Sequence, residues 1–332
     1  MKKSADELTI SIIIPVYNGG EQFRRCLLSL ARTVPAPHEV IVVADGDTDG
    51  SWLVAKQLGA KIIRIPQSEG PAKARNIGAR AARGDILFFV DADVEIYPDT
   101  INQVAIAFEQ NPNLGALIGS YDDAPGASNF LSQYKNLFHH YTHQNSLETA
   151  STFWGACGAI RRHIFFHVGG FDESYRLPCV EDIELGYRLK QAGYKIKLFP
   201  TIQVKHLKRW GIISLIKADF FYRALPWTML ILRHRQFAND LNLRWSSRIS
   251  VILIYALLGT LVAAWCSSLV WLATLFISVT LLAINYPVYR FFYNKRGMVF
   301  AIKTIPWHWL YYIYSGLAFG IGTIRHSLNS TS

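Results

Sequence analysis

The feature that most limits the fold is a run of 41 residues without a charged side chain, residues 249–289. A second uncharged run of 21 residues covers 304–324. Because a helix crosses the hydrocarbon core of a bilayer with about 20 residues, these lengths predict about three transmembrane spans, at 249–267, 269–289 and 304–324. The alternative is a buried hairpin in a soluble domain, but two separate stretches of bilayer length would then be coincidences.

The basic residues around these runs indicate an orientation. Arg244 and Arg248 precede the first span, and four basic residues lie within 290–303, whereas the turn between the first two spans has none. The positive-inside rule then places residues 1–248 and 290–303 in the cytoplasm and the chain after Ile324 on the far side. The first ten residues lack the apolar segment of a signal peptide. We therefore expect a protein of the cytoplasmic (inner) membrane with a cytoplasmic N-terminal domain.

The net charge of +10 raises the question of a nucleic-acid partner. The Lys and Arg residues are spread along the chain, many lie next to the uncharged runs, and no nucleic-acid-binding motif is present. Anionic lipid headgroups are therefore the better partner for these residues. The four cysteines have no metal-ligand spacing. The sequence thus predicts no nucleic-acid binding and no cysteine-ligated metal.

Short apolar runs alternate with helical periodicity over the first 200 residues. Four of these runs are typical of strands: Ile10–Val16, Val40–Ala44, Lys61–Ile65 and Ile86–Val90. Strands that alternate with helices predict an α/β fold with a doubly wound, mostly parallel sheet. Three of the strands end in polar residues, at Tyr17-Asn18, at Asp45 and at Asp91-Ala92-Asp93. The pattern therefore predicts a pocket at the carboxyl edge of the sheet, where such folds bind ligands.

The Asp-x-Asp pair at 91–93 has a chemical reading of its own. Divalent cations such as Mg²⁺ are held by one or two carboxylates together with substrate phosphates. A solvated turn with two acids is the alternative for an isolated pair. The predicted position at the sheet edge favours a metal–diphosphate site.

Six stretches, in this order along the chain, resemble the family 2 glycosyltransferases, which have the GT-A fold: SIIIPVYNGG, EVIVVADGDTDGS, GPAKARNIGARAARGD, ILFFVDADVEIYPD, GGFDESY and EDIELGYRLKQAGYKI. They are distributed over residues 11–196. The resemblance implies a nucleotide-diphosphate sugar as donor, Mg²⁺ or Mn²⁺ as cofactor, and inversion of the anomeric centre.

The resemblance also assigns residues to the nucleotide. Pro15, Tyr17 and Asn18 correspond to the loop around the nucleobase, and Asp45 corresponds to a carboxylate that accepts from a base N–H. The family often has two acids at this place, whereas this chain has Ala44 before Asp45. One carboxylate is therefore expected to serve the base.

Five further residues are assigned to the diphosphate and the metal. Lys73 and Arg75, near a helix start, are expected to meet the diphosphate or the ribose, since cations pair with phosphate oxygens. Asp91 is expected to contact the ribose or the metal complex, and Asp93 to bind the metal. His206 corresponds to a position near the metal or the diphosphate, with a buried, hydrogen-bonded histidine as the alternative.

The resemblance places catalysis at the start of a predicted helix. Acids are favoured in a first helical turn, so helix capping is the structural alternative for Glu181 and Asp182. In the family the second acid is the general base, which makes Asp182 the expected base and Glu181 its helper. Base catalysis suits attack by a hydroxyl group. Trp154 and Gly155 correspond to an acceptor-facing wall, and a core tryptophan is the alternative.

These expectations combine into one predicted enzyme with three segments. Residues 1–208 are the cytoplasmic GT-A domain, 209–248 an amphipathic segment with an interfacial helix, and 249–332 the transmembrane region. Polymerising members have a Gln-x-x-Arg-Trp signature, whereas this chain has His206 in place of the Gln, so we expect transfer of a single sugar.

The predicted activity is that of a membrane-anchored inverting hexosyltransferase. It moves the sugar to a hydroxyl of a lipid or lipid-linked glycan in cell-envelope glycan or glycolipid synthesis. Two alternatives stay open: a transferase that loads polyprenyl phosphate, and a non-catalytic membrane scaffold that binds nucleotide sugars.

Overall fold

The computed structural model describes residues 8–234 and 244–330. The chain divides into two units, Met1–Trp210 and Gly211–Ser332. Most of the N-terminal segment, in which we expect no signal peptide, and residues 235–243 of the predicted amphipathic segment lie outside the described residues.

One sheet forms the centre of the first unit. Its eight strands are β1 (Ile10–Val16), β2 (Glu39–Asp45), β3 (Lys61–Ile65), β4 (Ile86–Val90), β5 (Val94–Ile96), β6 (Leu114–Tyr121), β7 (Cys157–Arg161) and β8 (Lys195–His206). Their order across the sheet is β3-β2-β1-β4-β7-β6-β8-β5. The first four strands are mutually parallel, as are β6 and β8, whereas β7 and β5 run antiparallel to their neighbours. The predicted α/β class with a mostly parallel sheet is confirmed.

Seven helices accompany the sheet: α1 (Gly20–Leu30), α2 (Ser51–Gln57), α3 (Pro71–Ala81), α4 (Thr100–Gln110), α5 (Phe130–Gln144), α6 (Arg162–His167) and α7 (Glu181–Gln191). Helix α3 starts with Pro71, whose fixed φ and missing N–H suit a first helical position. It lies close against the sheet, because a Cβ atom on Gly78 would be 2.5 Å from a methyl group of Ile13. This close packing fixes the side chains of α3 relative to the carboxyl edge of the sheet.

The sheet changes winding direction between β1 and β4. The chain moves from β1 through α1 to β2 on one side, and reaches β4 through α3 on the other side of β1. Pairing between β1 and β4 ends at Ile13 and Phe89, so Pro15, which has no N–H to donate, lies beyond that ladder. A crevice at the carboxyl ends of the strands is expected at such a switch point. The loops after β1, β2 and β4 border it.

The second unit is helical. Helix α8 (Ile212–Lys217) continues through a π-helical segment, Ala218–Ala224, into α9 (Leu225–His234). The remaining helices are α10 (Trp245–Ala263), α11 (Val270–Ile284), α12 (Tyr286–Arg296) and α13 (Met298–Ser330). Helix α8 carries exposed large apolar side chains, among them Ile213, which is 82 % exposed.

The described helices differ in their capacity to cross a bilayer. Helix α10 alone is by itself long and apolar enough, and α11 and α12 meet the condition only together, with a bend of 60° at their junction. The third expected span, 304–324, is helical within α13, but α13 is not among the helices that meet the condition. The stretch 304–324 includes Pro306 and His308, which lower its mean hydropathy.

A buried polar contact lies at the bend between α11 and α12. The Asn285 side chain donates to Ser250 Oγ of α10 at 3.0 Å and accepts from the Tyr312 hydroxyl of α13 at 2.7 Å. Apolar residues of the same helices, among them Ile254 and Leu281, pack around it. These hydrogen bonds satisfy the amide, which would be costly to bury alone, and they join three helices at the bend.

Candidate active site

The loops after β1 and β2 are hydrogen-bonded to each other. Asn18, with a left-handed φ of 50°, accepts through Oδ1 from the backbone N–H groups of Thr48 at 2.8 Å and Asp49 at 3.2 Å. The N–H of Gly20 donates to Asp49 Oδ2 at 3.0 Å. Tyr17, between Pro15 and these contacts, is 61 % exposed at the rim. Tyr17 thus offers a ring to a ligand, whereas the Asn18 amide holds the loops together.

Asp49 is a site residue that the sequence patterns miss. Burial raises its pKa, but hydrogen bonds from Asp47, Ser51 and Gly20 outweigh this effect and lower the pKa to about 2. For Asp47 the direction is opposite, since burial and its hydrogen bond with Asp49 raise the pKa. No sequence pattern marks Asp49, because its role depends on contacts with the loop after β1, which is distant in sequence.

Asp45 is turned toward the loop before α3. It is only 4 % exposed, and its carboxylate accepts from Ser68 Oγ at 2.9 Å and from the N–H groups of Glu69 at 2.8 Å and Gly70 at 2.9 Å. Both oxygens are therefore engaged within the protein. These contacts arise because the chain returns from β3 to α3 past the end of β2.

The two cations of α3 have different environments. Lys73 pairs with Glu69 one turn earlier and stays partly exposed. Arg75 is buried, with Nη2 2.7 Å from Asp91 Oδ1 and Nη1 2.8 Å from Glu181 Oε1. Burial opposes its charge, but Asp91 and Glu181 raise the guanidinium pKa above its ordinary value. Both terminal nitrogens of Arg75 thus contact protein carboxylates.

Asp93 and His206 meet where β5 pairs with β8. The register places Val94 opposite His206, and His206 Nε2 lies 3.7 Å from Asp93 Oδ2. Burial raises the pKa of Asp93, but the nearby His206 imidazole, with Lys208, lowers it overall. The His206 ring stacks on Tyr121, at 4.3 Å between centroids and 11° between planes. The structure thus orients an imidazole beside the expected metal ligand.

These residues fit a cation that is shared with a substrate. In residues 8–234 and 244–330, no group of three or more His, Cys, Asp or Glu side chains could hold a metal ion. Asp93 and His206 supply a carboxylate and an imidazole, while one oxygen of Asp91 is engaged by Arg75. A diphosphate and water would complete the coordination, which is how Mg²⁺ is usually bound.

The first turn of α7 carries the predicted catalytic pair. Asp182 accepts from the Gly155 N–H at 3.0 Å through Oδ2 and from the Ile183 N–H at 2.8 Å through Oδ1. Glu181 is buried, and its second oxygen accepts from the Cys179 N–H at 2.8 Å. The structure therefore leaves Asp182 partly exposed at the crevice and uses Glu181 as an internal partner of Arg75.

Trp154 is buried, and its neighbour Gly155 lies beside Asp182. It is 7 % exposed, and its indole packs against Tyr121 at 4.8 Å and His139 at 4.7 Å between centroids. Helix α5 and the end of β6 cover it. Its neighbour Gly155 does reach the site, through its backbone N–H to Asp182. Tyr121 is the residue that sequence patterns miss here, because its ring contacts both Trp154 and His206 from a strand that no motif marks.

The arrangement gathers the chemistry of a group transfer at one sheet edge. The loop after β1 carries the exposed ring of Tyr17, the turn after β4 carries Asp93 beside the His206 imidazole, and Arg75 links that turn, through Asp91, to Glu181 at the start of α7. Such a set can bind a nucleotide diphosphate and remove a proton from a nucleophile.

Comparisons with known proteins agree with this geometry. Residues 11–169 match the family described as Glycosyl transferase family 2. A stretch of 93 residues is 39 % identical to the uncharacterized glycosyltransferase YibD of Escherichia coli (strain K12), and the match covers 27 % of this chain and 27 % of that protein. Over 235 residues the chain is 28 % identical to an N-acetylglucosaminyl-diphospho-decaprenol L-rhamnosyltransferase of Mycobacterium tuberculosis, a match that covers 60 % of this chain and 76 % of the relative.

A solved structure shows the same fold. The mannosyltransferase PcManGT from Pyrobaculum calidifontis, in complex with GDP-Man and Mn²⁺, superposes with a TM-score of 0.60. The superposition covers 91 % of this chain and 88 % of that chain, at 18 % sequence identity. At this identity the likeness concerns the fold.

Proposed function

We propose that this chain, which residues 11–169 identify as a family 2 glycosyltransferase with a GT-A fold, transfers a single sugar. The sugar moves from a nucleotide-diphosphate sugar to a hydroxyl group of a membrane-associated acceptor. The proposed acceptor is a lipid or a lipid-linked glycan. The proposed reaction inverts the anomeric centre and uses Mg²⁺ or Mn²⁺.

One observation carries this proposal. The buried guanidinium of Arg75 contacts Asp91 at 2.7 Å and Glu181 at 2.8 Å, so the Asp-x-Asp turn and the start of α7 lie on opposite sides of one side chain. Arg75 and Glu181, which are 106 positions apart in sequence, are thereby held together. A donor bound at Asp93 and an acceptor at Asp182 would be close enough to react.

The residues have distinct proposed tasks. Tyr17 packs on the nucleobase, Lys73 pairs with the diphosphate or ribose when it leaves Glu69, and Asp45 supports the loop between them. Asp93 and His206 hold the cation, which when bound neutralises charge on the leaving diphosphate. Asp182, fixed by the Gly155 N–H, takes the proton of the attacking hydroxyl at a carboxylate oxygen.

The acceptor class follows from the base and from a relative. A phosphate oxygen is already deprotonated and needs no base, whereas a hydroxyl benefits from proton removal as its bond to the sugar forms. The mycobacterial relative that is 28 % identical is named for a diphospho-decaprenol substrate. Both points favour a lipid-linked hydroxyl over polyprenyl phosphate itself.

A membrane location is supported by the second unit. Helix α10 is long and apolar enough to span a bilayer, and large side chains such as Val262 and Phe276 are exposed on α10 and α11. Exposed apolar surface of this kind is stable in lipid. We include in the proposal a cytoplasmic catalytic unit, since basic residues flank the spans on that side.

The test is transfer of a radiolabelled sugar to a lipid extract by the detergent-solubilised chain. Wild type is expected to form a labelled lipid, and Asp182→Asn to reduce turnover by about 10²–10⁴-fold, the usual range for a general base. Asp172→Asn is the matched control, because Asp172 precedes α7 in a turn and accepts a local bond from the Ser174 N–H. Normal turnover in Asp182→Asn would contradict the assigned mechanism.

A further inference from the structure

Arg75 occupies the position where two functional segments meet. Its guanidinium is 6 % exposed and uses separate nitrogens for Asp91 and Glu181. The ring of Phe171 lies 5.4 Å away, within cation–π distance. A planar fork can bridge two carboxylates in this way, whereas the single ammonium of a lysine cannot hold the same geometry.

Gly155 covers the same guanidinium on another side. A Cβ atom on residue 155 would lie 3.0 Å from both Cζ and Nη2 of Arg75. Its φ is outside the left-handed region, so a side chain at this position would meet the guanidinium without backbone strain and would displace it by a few tenths of an ångström. The N–H of this glycine donates to Asp182 Oδ2 at 3.0 Å. The position of the guanidinium therefore limits the position of the loop that holds Asp182.

We propose that Arg75 is a positioning residue that couples the Asp-x-Asp turn to the general base, through Glu181 on one side and Gly155 on the other, and that it does not bind the donor. This inference rests on the proposed function. Asp91 adjoins the metal site in sequence, and Glu181 directly precedes Asp182. A shift of either carboxylate is transmitted by the shared guanidinium to the other.

The competing assignment for Arg75 makes a different prediction. A cation that binds the diphosphate would have to turn away from Asp91 and Glu181. Two carboxylates would then lose their partner, and Glu181 is itself buried, which is unfavourable for an ionised side chain. If Arg75 binds the donor, its replacement weakens nucleotide affinity. If it positions the base, its replacement slows the chemical step far more than it weakens affinity, because Arg75 contacts Asp91 and Glu181 and not the expected metal ligand Asp93.

The experiment uses the full chain in detergent with two variants, Arg75→Lys and Gly155→Ala. Gly155→Ala removes no charge and tests the same contact from the other side. Gly211→Ala is the matched control, since its nearest neighbour would be 3.7 Å from the new Cβ and its φ is not left-handed. Calorimetry with UDP and GDP in the presence of Mn²⁺ gives affinity, and sugar transfer gives kcat and KM.

Arg75→Lys is expected to lower kcat about 100-fold, the effect of a displacement of roughly 1 Å at a reacting group. Gly155→Ala is expected to lower kcat less, because its new Cβ displaces the guanidinium by only a few tenths of an ångström. The affinity of both variants for the nucleoside diphosphate stays within threefold of wild type, and Gly211→Ala matches wild type in both quantities. A tenfold loss of nucleotide affinity with kcat retained would overturn the proposal. So would unfolding of both variants, because the proposed effect is local.

A second readout does not depend on catalysis. The N–H of Cys179 is held by Glu181 Oε2 at 2.8 Å, so the iodoacetamide labelling rate of this partly exposed residue reports on Glu181. Labelling is expected to be several-fold faster in Arg75→Lys than in wild type. If wild type transfers no sugar from any donor, the proposed function fails, and the labelling rates still decide the coupling. Equal rates in both proteins would then refute it.

Discussion

Replacement of Asp45 tests whether the end of β2 supports a loop or contacts the nucleobase. The buried carboxylate accepts three hydrogen bonds, from Ser68 Oγ, Glu69 N and Gly70 N. Each bond to a charged group contributes about 1.5–3 kcal/mol, and Asp45→Ala leaves the donors unsatisfied. Because such contributions are not additive, we expect a loss of about 4 kcal/mol in the free energy of unfolding. At roughly 2–4 °C per kcal/mol, the thermal midpoint falls by about 10 °C.

The assay is tryptophan fluorescence during heating of the full chain in detergent, together with donor affinity. Ser68→Ala is a graded control, because it removes one of the three bonds and is expected to cost about 1 kcal/mol, or roughly 3 °C. A thermal midpoint within 2 °C of wild type in Asp45→Ala, together with weakened donor binding, would refute the reasoning. Asp45 would then face the base, as the sequence led us to expect.

Three further predictions address the site. Asp49→Asn is expected to lower the thermal midpoint by a margin that is full above pH 4 and disappears as pH falls toward 2. The sign follows from the folded pKa of Asp49, about 2, which lies below the ordinary value of 3.8, so that the ionised carboxylate is the form that stabilises the fold. A difference in thermal midpoint that grows on acidification would contradict this prediction. At pH 8, iodoacetamide is expected to label Cys179 and to spare Cys26 and Cys157. Burial raises the pKa of the Cys26 and Cys157 thiols, that of Cys157 to about 12, and the charges of Asp93 and Asp91 raise the pKa of Cys26 further. Rapid labelling of Cys26, read by peptide mass spectrometry, would show that this thiol is not buried. Tyr121→Leu is expected to loosen His206 and weaken Mn²⁺-dependent nucleotide binding several-fold, as measured by calorimetry. Tyr121→Phe keeps the stacked ring and is expected to keep this affinity. An equal loss of affinity in both variants would exclude stacking as the cause.

The sequence was sufficient to place the strand ends. Alternating apolar runs predict β1, β2 and β4, and the carboxyl ends of parallel strands must share an edge. The loops after β1, β2 and β4, which carry Tyr17, Asp47 and Asp93, accordingly lie at that edge. The antiparallel β7 was not predicted, because a short strand such as CGAIR has no pattern that fixes its direction.

Partners within the site could not be predicted from the sequence. Whether Asp45 faces a ligand or a loop depends on the path from β3 to α3, and whether Arg75 is exposed depends on Glu181, which is distant in sequence. For Trp154 the sequence left a wall and a core position open, and the contacts with Tyr121 and His139 that bury it come from other elements. In each case the decisive contact is made by a residue outside the motif.

The C-terminal region shows the same limit. The absence of charge predicted helices over 249–289, and α10 and α11 lie there. The bend at Asn285 depends on hydrogen bonds to Ser250 and Tyr312, which belong to other helices. An uncharged run gives the length of apolar chain but not the place where a helix breaks.

Metal-dependent release of nucleoside diphosphate is the most direct test of the central claim, that this sheet edge transfers a sugar from a nucleotide donor. Purified full-length protein is incubated with UDP- and GDP-sugars, Mn²⁺ or Mg²⁺, and a lipid extract. We expect release of one nucleoside diphosphate, which requires the metal and the lipid and is abolished in Asp93→Ala. Release that is unaffected by Asp93→Ala and by chelation, or no release and no nucleotide binding with any donor, would contradict the claim.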